Sequence, residues 1–198
     1  MRRAIVAYIA AFATVASLAG CTINITVPPA IGQAMMGSES TSSGVEVEMF
    51  AEMMIPHHQQ AIDMANLALA TPSASTQLKN LAQRIIDGQT PEIDLMEGWL
   101  DRSDGHGMMG MMSSNQELMM GGMASEEELD HLETLEGSEF DSEFLTLMIT
   151  HHEGALHMVH MIDKSSFDEA AQLAEDIIRV QTAEIAEMKR MLAGESGA

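Results

Sequence analysis

The chain is short of the groups that many binding chemistries require. It has one cysteine in 198 residues, so it builds no internal disulfide and no thiolate cage for a metal. Its 9 Lys and Arg stand against 30 Asp and Glu, a formal charge of −21. A surface that tracks phosphates needs clustered cations, so DNA and RNA are excluded as partners. Aromatic residues are 4% of the chain, with a single Trp, too few for a base-stacking platform. No segment sustains the period-two alternation of a half-buried strand, which argues against sheet. Two residue types are abundant instead: 20 methionines and 8 histidines.

The first residues read as an address. Arg2 and Arg3 precede the apolar run AIVAYIAAFATVASLA at 4–19. A positive start followed by an uncharged apolar stretch is the pattern of an export signal. The run is short for a permanent span, which needs about 20 apolar residues. It ends LAGC at 18–21, resembling a bacterial lipobox, in which cleavage precedes a cysteine that then receives lipid. The expectation is a lipoprotein signal at 1–20, a lipid anchor on Cys21 and location on the outer face of a membrane. Loss of Arg2 and Arg3 leaves 7 basic side chains against 30 acidic ones, a formal −23. Lipidation also consumes the only thiol, so any soft metal ligand in the mature protein is a Met thioether.

Residues 21–43, rich in Thr, Ser, Pro and Gly, read as a tether. From about 44 the apolar spacing turns helical: Phe50, Met53, Met54, His57, Ala61, Met64 and Ala68 recur at threes and fours. A stop at Thr71-Pro72 separates this helix from a second one carrying Leu78, Ile85, Gln89, Ile93, Met96 and Leu100. Pro56 predicts a kink or local break beside His57. The capping pattern SEEE at 125–128 predicts a short helix, and SFDE at 166–169 predicts the cap of a long one ending at Gly194. The expected fold is all-α, a ferritin-like four-helix bundle. Its domain spans 44–193: a first half at 44–101, a Met-rich connector at 102–136 and a second half at 137–193.

The two halves read as copies. At an offset of 94, Phe50, Met54, His57, His58, Ala61 and Met64 fall on Phe144, Met148, His151, His152, Ala155 and Met158. At an offset of 92, Ile85, Gln89, Glu92, Ile93 and Met96 fall on Ile177, Gln181, Glu184, Ile185 and Met188. Each half is then one helical hairpin, and a pseudo-twofold axis brings the paired histidines to the middle.

The spacing sets Met53, His57, Gln60 and Met64 on one stripe and Met54, His58, Ala61 and Ala65 on the next. In the second half the stripes are Leu147, His151, Gly154 and Met158, then Met148, His152, Ala155 and Val159. Neutral imidazoles and thioethers suit soft or borderline ions, above all Cu(I) and also Ag(I). A hard ion such as Ca²⁺ wants an oxygen-lined loop, and none is present. A buried His is more often a hydrogen-bonded core group, and a Met stripe is more often packing. The doubled His-His pairs favour metal, whereas Met54, Met64, Met148 and Met158 stand evenly between ligand and filler. Gln89, Gln181, Glu92 and Glu184 either hydrogen-bond the histidines or ligate a harder metal directly. The Gly- and Met-rich segment HGMMGMM at 106–112, continuing to Met119, Met120 and Met123, reads either as a thioether net or as loose packing. His157 and His160 read as a solvated face before an accessory site, and His131 as surface. GHGMMG at 105–110 fits a dinucleotide fingerprint only in letters, lacking a preceding strand, and HEGALH at 152–157 is one residue too long for a zinc-protease helix.

The segments MMIPHHQQAIDM at 53–64 and FLTLMITHHEGALHM at 144–158 resemble the paired signatures of the bacterial domain of unknown function 305 family. The resemblance covers about 44–193 and implies an exported helical bundle, often a lipoprotein. Some members bind copper or silver through Met and His and assist copper resistance. The implied metal positions are Met54, His57, His58, Met64, Met148, His151, His152 and Met158. Met53 and Leu147 differ between the halves, so the half-sites need not bind equally. The first expectation is therefore a lipoprotein that buffers or sequesters Cu(I) without turnover, with room for a copper-handling protein partner and for a homo-oligomer. A ferritin-like dinuclear oxidase using Glu92 and Glu184 is the second, although the helices that carry them contain no His. A metal-free structural or partner-binding bundle is the third.

Overall fold

A computed structural model describes residues 39–102, 121–162 and 167–194, with side chains from 44 onward. The export signal, Cys21 and most of the tether lie outside these residues, as do 103–120 of the connector. The described residues form five helices and no strand: α1 Glu39–Ala70, α2 Thr76–Arg102, α3 Glu126–Thr134, α4 Gly137–Val159 and α5 Asp168–Leu192. Among them no helix is long and apolar enough to cross a membrane.

The helix ends follow local chemistry. Thr71 closes α1, and Ser75 Oγ accepts from the Leu78 N–H to start α2. Ser125 and Glu128 form the expected capping box at α3. Gly194, at φ +74°, ends α5 in the left-handed conformation that a Cβ would strain. Three expectations need correction. α1 begins at Glu39, five residues inside the segment read as tether. α1 also continues through Pro56, and α2 through Pro91, so neither proline breaks its helix. At α5 the N-cap is Phe167 and no side chain caps it; Ser166 lies outside the described residues.

The helices pack in pairs, α1 with α2 and α4 with α5, and α1 also packs on α4. The apolar residues separate into two clusters. One gathers the C-terminal half of α1 (Ala61 to Ala68), the start of α2 (Leu78 to Ile85), Leu132 of α3, the start of α4 (Phe140 to Ile149) and the end of α5 (Ile185, Met188). The other gathers Val47 to Met54, Met96, Trp99, Ala155 to Ile162 and Ala170 to Ile177. Each long helix therefore passes from one cluster to the other, and neighbours do so in opposite senses, which makes each hairpin antiparallel. Between α2 and α5 the register is pinned by Arg84, whose guanidinium donates to both Glu187 oxygens at 2.7 Å, and by Trp99 Nε1, which donates to Glu169 at 2.8 Å.

Candidate metal centre

The residues at which the four long helices change cluster are polar. α1 supplies His57 and His58, α2 Gln89 and Glu92, α4 His151 and His152, and α5 Gln181 and Glu184. Helical spacing forces this: in α1 the layer falls between Met54 of one cluster and Ala61 of the other, two turns apart. All four imidazoles have 0% exposure. The four candidate thioethers are buried as well, Met54 and Met158 in one cluster, Met64 and Met148 in the other. All eight residues expected from the sequence are thus interior and flank one layer, whereas His131, His157 and His160 are exposed. His157 and His160 face one another edge to face at 6.3 Å.

Within the layer the two halves make the same contact. His58 Nε2 lies 2.7 Å from Glu92 Oε2, and His152 Nε2 lies 2.8 Å from Glu184 Oε2. A carboxylate only accepts, so Nε2 is the donor in each pair. Neither Nδ1 has a hydrogen-bond partner. His57 and His151 lie ring on ring, 3.7 Å between centroids and 36° from parallel. No group meets hydrogen-bond geometry with either nitrogen of either ring. Burial first, and then the neighbouring His58, pull the pKa of His57 down to about 3, with the Gly121 backbone pulling weakly the other way. Burial and then His57 hold His151 well below the ordinary imidazole range. Both rings are neutral at pH 7. Gln89 and Gln181, brought level by the α2–α5 register, are also buried, and both amide atoms of Gln89 and Oε1 of Gln181 lack protein partners.

Among the described residues, six of the eight ring nitrogens in this layer are buried with no group in hydrogen-bond geometry. An unsatisfied buried group costs about 1–3 kcal/mol, so this is an expensive arrangement for packing alone and a natural one for ligands. Among the described residues no three His, Cys, Asp or Glu side chains converge to hold a metal ion.

The family model described as a domain of unknown function (DUF305) matches residues 48–192. The chain belongs to this family. No curated protein matches it. Among solved structures it is similar to a DUF305 fragment from Deinococcus radiodurans, at 33% identity and a TM-score of 0.66 over 75% of this chain and 95% of that one. It is also similar to CopM in its Cu(I)-bound form, at 36% identity and a TM-score of 0.62 over 76% of this chain and 98% of that one, and to CopM in its Cu(II)-bound form at 37%. A third likeness is to a DUF305 protein from Streptomyces coelicolor described as secreted, at 29% identity and a TM-score of 0.63 over 77% of this chain and 93% of that one.

Periodicity put Gln60 and Gly154 on the interior stripes but did not show what they touch. Gln60 Nε2 donates to the Ala124 carbonyl and Gln60 Oε1 accepts from the Ala124 N–H, each at 2.8 Å. A Cβ on Gly154 would strike the Gly121 carbonyl oxygen, so this glycine exists where another backbone crosses α4. The signal was a polar side chain on a buried stripe in one half and a bare glycine at the matching position of the other.

Proposed function

We propose that the protein is an exported lipoprotein, anchored through Cys21 after loss of 1–20, that binds Cu(I), and Ag(I) alike, in the polar layer for buffering, sequestration or resistance. The observation that carries this reading is the set of unpartnered, buried imidazole nitrogens in one layer, with the candidate thioethers in the clusters on either side. The copper-bound CopM structures support the same ion for this fold. The two expected sites take His58 with Met54 and Met158, which share one cluster, and His152 with Met148 and Met64, which share the other. His57 and His151 stack on one another in the same layer.

The domain is a duplicated pair of hairpins in a ferritin-like four-helix bundle, spanning 44–193. Support comes from the core: at an offset of 94, Phe50, Met54, Ala61 and Met64 and their counterparts Phe144, Met148, Ala155 and Met158 fall in opposite clusters, as a twofold axis through the layer requires. Glu92 and Glu184 orient the imidazoles and are not ligands. An oxidase would need these carboxylates as ligands, and a metal-free bundle would leave the imidazole nitrogens without purpose.

Titration of the mature protein with Cu(I), Ag(I), Zn²⁺ and Fe²⁺, followed by native mass spectrometry, tests the reading. Two tightly held monovalent ions per chain are expected. Preference for Fe²⁺ with oxygen consumption supports the oxidase, and uptake of no ion supports the structural bundle.

A further inference from the structure

Residues 121–124 cross the outside of the polar layer as a short strap with two fastenings. On the α1 side, the Gln60 amide grips Ala124 by both its N–H and its carbonyl at 2.8 Å. On the α4 side, Gly122 adopts φ +92° and lies so close that a Cβ there would sit 2.5 Å from the Thr150 carbonyl and 3.0 Å from the Gly154 Cα. The reciprocal Cβ on Gly154 would strike the Gly121 carbonyl. Gln60 lies three residues after His57 and Gly154 three after His151, so both fastenings are one turn from the stacked imidazoles. The Gly121 backbone stands beside the His57 ring. Gly121 itself is exposed while His57 and His151 are wholly buried, so this backbone is part of what separates the rings from water. The two fastening positions match under the offset of 94, yet one is the largest uncharged amide and the other the smallest residue. A single strap explains that difference, because it must be held on one helix and admitted by the other.

We propose that residues 121–124 form the access strap over the imidazole layer, with Gln60 and Gly154 as positioning residues that set how fast ligands reach and leave the histidines. The strap is a rate device. Its loosening speeds both entry and exit and leaves the donor set intact. The inference concerns access to the imidazoles, and its role in metal exchange rests on the copper reading above.

Two variants test it in the full mature chain. Q60A removes both hydrogen bonds without adding bulk, and G154A forces the Gly121 backbone away. Diethyl pyrocarbonate, which acylates unprotonated imidazole, reports access without any metal, with sites read by peptide mass spectrometry. His131, His157 and His160 serve as exposed controls. His57 and His151 should react slowly in the parent and about tenfold or more faster in Q60A, since two hydrogen bonds no longer oppose local opening. Transfer of Ag(I) from each protein to a chelator should quicken by a similar factor, while the number of ions bound at saturation stays the same. Unchanged acylation of His57 and His151 in both folded variants overturns the strap. Faster acylation in a protein that takes up no Ag(I) upholds the strap and overturns the copper reading.

Discussion

The α1–α2 hairpin and the α4–α5 hairpin agree in the polar layer and at many core positions, and differ at several positions on their backbones and flanks. His58 with Glu92 and His152 with Glu184 make the same bond at nearly the same length. Met54 and Met148 precede them by four residues and are both buried. By contrast, Pro56 stands against Thr150, Pro91 against Ala183, and Gln60 against Gly154. The first two differences lie on helix backbones that tolerate them, and the third serves the strap. The chemistry of the layer therefore needs both hairpins, whereas access to it is built from one asymmetric connection.

That comparison can be broken at several points, the largest effect first. Replacing His57 and His58 together by Ala, or His151 and His152 together, should each remove one of two bound ions, read by native mass spectrometry. A pair whose loss leaves both ions in place ends the equivalence of the halves. Next, Glu92→Ala and Glu184→Ala should weaken Cu(I) binding by about 10–100-fold, as loss of a carboxylate behind a ligating His does. Competition with a Cu(I) chelator measures this, and Gln at either position should recover part of it by keeping the acceptor. A markedly smaller effect at Glu92 than at Glu184 would mean that only the second half holds its imidazole for metal.

Acid offers a test common to both halves. His57 titrates near pH 3 in the folded apo protein and near 6.5 when unfolded. Between those values the unfolded chain binds more protons, so stability rises with pH. The contribution is complete above about pH 6.5 and is lost as pH falls towards 3, with His151 acting in the same direction. The apo Tm should drop across this range, and the drop should shrink when His57 and His151 are both replaced by Ala. Smallest of all, Met54→Leu and Met148→Leu should change folding stability by less than about 1.5 kcal/mol, because the swap conserves volume. They should still lower Cu(I) affinity. A loss of stability with no loss of affinity assigns these methionines to packing.

Much of this was legible in the sequence because it is periodic. The stripes through His57 and His58 and through His151 and His152 follow from 3.6-residue spacing, and the matched offsets placed them at one level. The spacing could not choose between carboxylate ligand and carboxylate partner at Glu92 and Glu184, since both roles put the same residue on the same face. The stripes carried Gln60 and Gly154 at matching positions but could not show the strap, because its contacts join Gln60 to Ala124 across 64 positions of chain. The SFDE pattern misled at α5, where the helix starts after Phe167 without a side-chain cap. A capping box is a local preference that neighbouring packing overrides.

In the proposed function, buried imidazoles and thioethers share a monovalent ion. X-ray absorption at the copper edge of the Cu(I)-loaded mature protein addresses it directly. Mixed coordination by imidazole nitrogen and thioether sulfur, with the sulfur contribution falling in Met54→Leu and Met148→Leu, is the predicted result. Coordination by nitrogen and oxygen alone, unaltered in those variants, would contradict it.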